Sequence, residues 1–300
     1  MEKEQAFGLL NINKPAGMTS RRVVDIVQRL VRPAKAGHAG TLDPLATGVL
    51  VLCVGRATRL IEYVQQQPKT YRGEFLLGRQ SDTEDVEGEV VELDNPPVPT
   101  LAELTEAAAD LTGEIMQMPP QYSALKVDGR RAYDLARKGK QVDLKPRPVQ
   151  IYRLDIIDYD YPKLTLDVQC GSGTYIRSLG RDLAELVGTA AVMSGLVRTA
   201  IGDFKIEQAV SPEMLDRDSV IRYLEPALKA VPGLRRIDIS AEELTEIRQG
   251  RKIATPADLD LTDAPADEKN PIAGISPDGR LAALLITRGE GMLGPVRVFV

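Results

Sequence analysis

Six consecutive apolar residues, Val49–Val54, follow directly on the loop GHAGTLDPLATG at Gly37–Gly48. An apolar run of that length, bounded by turn-formers, predicts a buried strand. No apolar run in the 300-residue chain is longer, and six is far short of the ~18 residues of a membrane span. Around it, strands and helices interleave without a regular βαβ rhythm, which predicts an α+β fold rather than a doubly wound sheet.

The opening, Gly8–Ser20, joins a strand-like GLLNINK to the turn-prone Lys14-Pro15-Ala16-Gly17. Ser20 reads as the cap of a helix over Arg21–Arg32, ended by Pro33. Thr70–Leu77 and Val86–Leu93 read as strands around an acidic turn, and Thr100 with Glu103 as a capping box for a helix to about Leu111. Val127–Arg130 reads as a hairpin turn followed by a basic helix, Arg130–Lys138. Strands are expected at Gln150–Ile157 and Lys163–Cys170, then a helix at Tyr175–Val187. Past Pro232 the composition shifts: Ser240 and Glu243 form a second capping box, and short strands follow at Ile272–Ile275, Leu281–Ile286 and Val296–Val300. At ~150 residues per domain the length predicts about two, here residues 1–232 and 233–300.

The net charge of −5 argues at first against a nucleic-acid partner. Locally the balance differs. Residues 1–75 carry 11 basic and 6 acidic side chains, residues 82–114 carry 11 acidic and no basic ones, and residues 121–153 carry 9 basic and 3 acidic ones. Two positive segments flank a negative one, so a basic face fits the sequence as well as plain solvated surfaces do. Cys53 and Cys170 lie in apolar runs and read as reduced core residues of a cytoplasmic protein, in keeping with an N-terminus that shows no secretory signal. One histidine and two distant cysteines predict no metal site, and no Walker or dinucleotide fingerprint calls for a cofactor.

The densest candidate for chemistry is the Gly37–Gly48 loop, where four turn-formers surround His38 and Asp43. Taken alone, Asp43 before Pro44 also reads as a helix N-cap, and His38 as an ordinary loop histidine.

The loop GHAGTLDPLATG resembles the catalytic loop of the TruB family of tRNA pseudouridine synthases, and further segments match that family in the same order. Lys14–Ser20 resembles its KPxGxTS opening, Lys69-Thr70-Tyr71-Arg72 its K-x-Y-R segment, and Gln121–Lys126 its P-x-x-SALK stretch. Gly173–Leu179 is similar to its GTYIR helix start, and Leu196–Thr199 with Gly202–Phe204 to its L-x-RT-x-x-G-x-F segment. Ala39 and Val197 depart mildly from the pattern and remove no functional group.

The resemblance implies a catalytic domain built on a mixed, largely antiparallel sheet, a thumb inserted at about 121–147, and a small C-terminal PUA-like β domain. It implies isomerisation of uridine to pseudouridine at position 55 of the tRNA T loop, by flipping the base and breaking the glycosidic bond, with no cofactor. Asp43 is then the catalytic aspartate, Tyr71 stacks on the uracil, Arg177 pairs with Asp43, and Leu196 packs against the base. His38 lies where the base leaves its stack, and Lys14 and Pro15 support the pocket. Lys126, Arg130, Arg131, Arg137 and Lys138 meet RNA phosphates, which position the substrate without reading sequence. Such an enzyme is expected to act in the cytoplasm as a monomer, with the T arm of tRNA as its partner, no membrane and no obligate protein. Two alternatives stand beside it: a tRNA-folding chaperone, and a guide-RNA-dependent synthase. For the acidic C-terminal module, with five acidic residues in Ala257–Glu268, a packing or solubility role is the alternative to RNA binding.

Overall fold

The computed structural model describes residues 6–122, 126–127, 130–131, 144–257, 259, 265–289 and 291–300, for residues 126, 127, 130 and 131 the backbone only. Arg137 and Lys138 lie outside these residues.

A nine-stranded sheet organises the larger part. Its order is Gly8–Lys14, Thr47–Val54, Ala191–Ile201, Lys69–Leu77, Lys163–Cys170, Arg147–Asp160 and Gly113–Gln117. Ala36–His38 adds to Thr47–Val54, and Phe204–Lys205 to Ala191–Ile201. Pairing is antiparallel except between Thr47–Val54 and Ala191–Ile201, which run parallel, so the sheet is mixed and the α+β expectation holds.

The apolar run Val49–Val54 explains how the layers stack. Side chains alternate across a strand, so Leu50, Leu52 and Val54 enter one core while Val49, Val51 and Cys53 enter another. The first core takes Val23, Val24 and Val27 of helix Ser20–Leu30, Leu104 and Ala108 of helix Leu101–Asp110, and Leu179 and Leu183 of helix Ile176–Leu186. The second takes Ala57, Leu60 and Val64, and from a five-stranded C-terminal sheet Ala273, Leu281 and Leu284, joined by Phe299. That smaller sheet, ordered Arg236–Asp238, Ile272–Ile275, Leu281–Thr287, Met292–Val298 and Ile253–Ala254, packs with helix Ala241–Arg248 around a third core. Arg56 and Arg59 donate to the carbonyls of Phe299 and Val298 at 2.9 and 3.0 Å, tying it to the larger sheet.

Both capping boxes form, at Thr100–Glu103 and Ser240–Glu243. Three local expectations are corrected. Thr19, not Ser20, caps the first helix, because Ser20 turns inward to a loop described below. Of the expected Val86–Leu93 strand only Val91–Glu92 forms a strand, with Arg79–Gln80, because residues 83–86 are held instead between Met193 and helix Ile176–Leu186. Arg130 and Arg131 are strand residues paired with Val127 and Lys126, so the hairpin pairing stands and these two residues are not helical, while residues 132–138 of the expected helix lie outside the described residues. The strand Ala191–Ile201 carries no clean alternation in sequence and went unread. No helix among the described residues is long and apolar enough to cross a membrane.

Candidate active site

Asp43 sits in the loop between strands Ala36–His38 and Thr47–Val54. No helix follows it; its carbonyl accepts from Ala46 N at 3.1 Å in a tight turn. The loop is pinned from three directions. Ser20, buried at the start of its helix, donates its hydroxyl to the Leu42 carbonyl at 3.0 Å and accepts from the Leu42 N–H at 2.8 Å. Lys14, wholly buried, donates to the carbonyls of Met18, Pro15 and Pro44 at 2.6, 3.0 and 3.3 Å. Gly17 N donates to the Pro44 carbonyl at 2.8 Å, so the Lys14–Gly17 turn, Pro15 included, is tied to the Pro44-Leu45 peptide just after Asp43. Burial pushes the Lys14 ammonium down to about 8, against the pull of the Asp43 and Glu87 carboxylates.

Arg198 provides the third tie. Its guanidinium is 1 % exposed, donates to the Val49 carbonyl at 2.7 Å and the Gly40 carbonyl at 3.2 Å, and lies over the Tyr71 ring at 5.9 Å. Gly48 makes this approach possible: at φ +95°, a Cβ there would stand 2.2 Å from the Arg198 carbonyl oxygen.

Facing the loop is the start of helix Ile176–Leu186, which carries Arg177. Arg177 Nη2 lies 3.1 Å from Asp43 Oδ2; the arginine side chain is 6 % exposed and the aspartate 41 %. The guanidinium also donates to the carbonyls of Thr83 at 2.7 Å and Tyr122 at 3.0 Å, and its Nη1 lies 3.7 Å from Asp85 Oδ2. A buried cation is thereby matched by two carboxylates and two carbonyls, the condition under which such a charge is tolerable. Asp85 is itself oriented by Thr83 Oγ1 at 2.6 Å and Glu87 N at 3.1 Å, while Glu84 accepts from Ser178 Oγ at 2.8 Å and pairs with Arg181. The acidic segment is thus partly spent on two arginines rather than solvated.

Between loop and helix lies an open cavity of about 130 Å³ lined by Thr41, Leu42, Asp43, Tyr71, Ile176 and Leu196, together with residues 174, 175 and 177. Tyr71 and Leu196 stand on neighbouring strands, where Leu196 is opposite Gly73 and Arg198 opposite Tyr71. Their shared face forms an apolar floor beneath a partly exposed carboxylate. Burial pushes the Tyr71 phenol above its ordinary value, with Arg198 opposing. His38, half-buried and paired with Leu52 in its strand, is near Asp43 in sequence but does not line the cavity.

The sequence matches the family described as TruB family pseudouridylate synthase (N terminal domain) over residues 28–176. It is 43 % identical over 298 residues to tRNA pseudouridine synthase B of Arthrobacter sp. (strain FB24), covering 97 % of this chain and 96 % of that protein. The protein of that name from Streptococcus pneumoniae serotype 4 is 40 % identical over 302 residues, covering 97 % and 99 %. The chain belongs to the TruB family.

Among solved structures, a chain from an H/ACA RNP bound to a substrate RNA containing 2′-deoxyuridine superposes with a TM-score of 0.72 at 23 % identity, covering 99 % of this chain and 86 % of that one. A chain from a Cbf5-Nop10-Gar1 complex gives 0.72 at 24 %, covering 100 % and 85 %. At that identity the likeness concerns the fold, which is the pseudouridine synthase fold with a C-terminal β module of PUA-like kind.

Within this TruB-family chain the structure brings together Asp43, Arg177, Tyr71, Leu196, Lys14 and Pro15, as their motifs suggest. It adds Asp85, Arg198 and Ser20, which sequence reading passed over. Arg198 and Ser20 stand inside quoted motifs, so the signal was present; Asp85 was hidden among the eleven acidic residues of positions 82–114.

Proposed function

We propose that this chain isomerises uridine to pseudouridine in tRNA, at position 55 of the T loop, with Asp43 as the catalytic group. The observation that carries the reading is the Asp43 carboxylate, held by Arg177 at 3.1 Å over the apolar floor of Tyr71 and Leu196. A dry cavity of ~150 Å³ takes one benzene ring, so the 130 Å³ here suits a single flipped pyrimidine. Flipping costs a few kcal/mol, offset by stacking on Tyr71 and contact with Leu196.

In the reaction the C1′–N1 bond breaks, the base turns, and C5 bonds to C1′. The proton leaves C5 and N1 ends protonated, so no electron donor or acceptor is needed. Asp43 acts on the uridine through its carboxylate, which the Arg177 guanidinium holds in place at 3.1 Å. The protonated Tyr71 phenol lies against the base, beside the C5 proton to be removed. His38, at the start of the loop that carries Asp43, lies where the base leaves its stack. Lys14 and Pro15 hold the loop and do not react.

We divide the chain into a catalytic part, residues 1–232, with a thumb at about 121–147, and a PUA-like part, residues 233–300. Lys126, Arg130, Arg131, Arg137 and Lys138 of the thumb meet backbone phosphates of the T arm, a shape-based mode common for structured RNA. The enzyme works in the cytoplasm, as a monomer, without a protein partner or guide RNA. The similarity to bacterial proteins named for tRNA, over nearly their whole length, supports this reading.

The test is tritium release from [5-³H]uridine-labelled, unmodified tRNA with the purified protein alone. Release by the wild type at position 55, and none by Asp43→Asn with tRNA binding retained, is the expected result. Tight binding without release by the wild type would overturn it in favour of a chaperone or a partner-dependent enzyme.

A further inference from the structure

The helix that carries Arg177 begins without a capping side chain: Tyr175 occupies the cap position and makes no side-chain cap bond. Its peptide is held from elsewhere. Gln117, fully buried at the end of strand Gly113–Gln117, accepts from the Tyr175 N–H at 2.8 Å and donates Nε2 to the Tyr175 carbonyl at 3.1 Å. That carbonyl also accepts the first intrahelical bond, from Leu179 N at 3.0 Å. One amide meets both backbone polar groups of a residue two positions from Arg177, and their demands fix which way the amide points.

Directly across the strand pair from Gln117 stands Arg147. Its Nη2 donates to the Gly173 carbonyl, and its guanidinium lies 4.9 Å from the Tyr175 ring centroid. Two facing residues of one strand pair therefore grip residues 173 and 175, and residues 174 and 175 line the cavity holding Asp43. Burying an amide is costly unless it is bonded, and an apolar side chain would fill the space without that cost. What only the amide supplies is a fixed point on each of the two peptides that flank the Tyr175 Cα.

We propose that Gln117 is a positioning residue for the isomerisation, aiming the Arg177 guanidinium at Asp43 by locking the Tyr175 peptide, with Arg147 bracing the same loop. The proposal rests on the uridine-isomerising reading above. It has chemical weight because a displacement of about 1 Å at a reacting group can cost ~10²-fold in rate.

Gln117→Met keeps the chain length and loses both bonds. Its single-turnover rate is expected to fall roughly ten- to a hundredfold, with tRNA affinity unchanged. Gln117→Glu gives the discriminating readout. As a carboxylate it still accepts from Tyr175 N–H but sets a second oxygen against the Tyr175 carbonyl; protonated, it donates there as the native amide does. Burial raises the pKa of such a carboxyl, so its rate relative to wild type is expected to fall as pH rises from about 5.5 to about 9. A merely structural role shifts melting temperature and leaves that ratio flat.

A Gln117→Met enzyme turning over at the wild-type rate would overturn the proposal, and so would a flat ratio for Gln117→Glu. If Gln117→Met does not fold, the pH profile of Gln117→Glu decides alone. Hydrogen exchange at the Tyr175 amide separates the two readings: protection is expected in the wild type and lost in Gln117→Met, which offers that N–H no acceptor. A wild type silent on tRNA overturns the uridine reading only, whereas unchanged Tyr175 protection overturns the clamp.

Discussion

Arg198 and Tyr71 face each other across two antiparallel strands, with the guanidinium 5.9 Å from the ring centroid and Nη1 3.5 Å from the phenol oxygen. The same guanidinium holds the carbonyls of Gly40 and Val49, so one buried cation links the floor of the cavity to the loop that carries Asp43.

Arg198→Lys tests that link. A single ammonium cannot reproduce a fork that serves two carbonyls and a ring. A buried carbonyl left unpaired costs about 1–3 kcal/mol, and a loss of that size is expected in urea unfolding. Turnover should fall as well, because both Tyr71 and the loop lose their common anchor.

Arg177 and Asp85 act as a unit. Arg177→Lys is expected to lower turnover by roughly 10²-fold or more, the scale of removing one preorganised charge from an active site. Asp85→Asn lowers it less, since Asp85 orients the guanidinium from 3.7 Å without facing the cavity. Because both act through one geometry, their losses should not add, and a double-mutant cycle on the single-turnover rate measures the coupling.

Lys14 carries a pH signature. Its pKa falls from 10.5 to about 8 on folding, chiefly because it is buried. Below pH 8 both folded and unfolded chains hold the proton, and the full cost of the buried charge is present. Between about 8 and 10.5 the unfolded chain holds more protons, so the contribution of Lys14 to stability rises with pH, with a limiting slope of ~1.4 kcal/mol per pH unit. Lys69, also lowered to about 8, contributes to both proteins. The unfolding free energy of wild type minus that of Lys14→Met should therefore climb through this window, as read from urea titrations at several pH values.

Gly180→Ala sets helix propensity against packing. Alanine favours the helix by about 1 kcal/mol, but its Cβ would lie 2.0 Å from Phe75 Cε1. Overpacking of a core costs about 1–3 kcal/mol, so the variant is expected to melt lower. Turnover should drop beyond the stability loss, because Gly180 lies one turn from Arg177 on the same helix.

How much was legible in the chain follows from the range of the interactions involved. Val49–Val54, the two capping boxes and the Lys163–Cys170 strand were readable because periodicity and capping act over a few residues. Asp43 and Arg177 were legible through the motifs around them, although 134 positions separate them in the chain. Ser20 was misread as a cap: a serine before a helix fits that role locally, and only the packing of Leu42 against it shows the side chain turned inward.

The sequence by itself determined the α+β class, most local elements and the family to which the chain belongs, since each is written in short-range pattern. Only the tertiary structure decided how the site is held. Gln117 reaches Tyr175 across 58 positions, Arg177 reaches Thr83 across 94, and Arg198 reaches Gly40 across 158. Each bond satisfies a buried polar group with a partner that has no fixed spacing in the chain. Burial sets the need for a partner; the order of strands in the sheet chooses which residue supplies it.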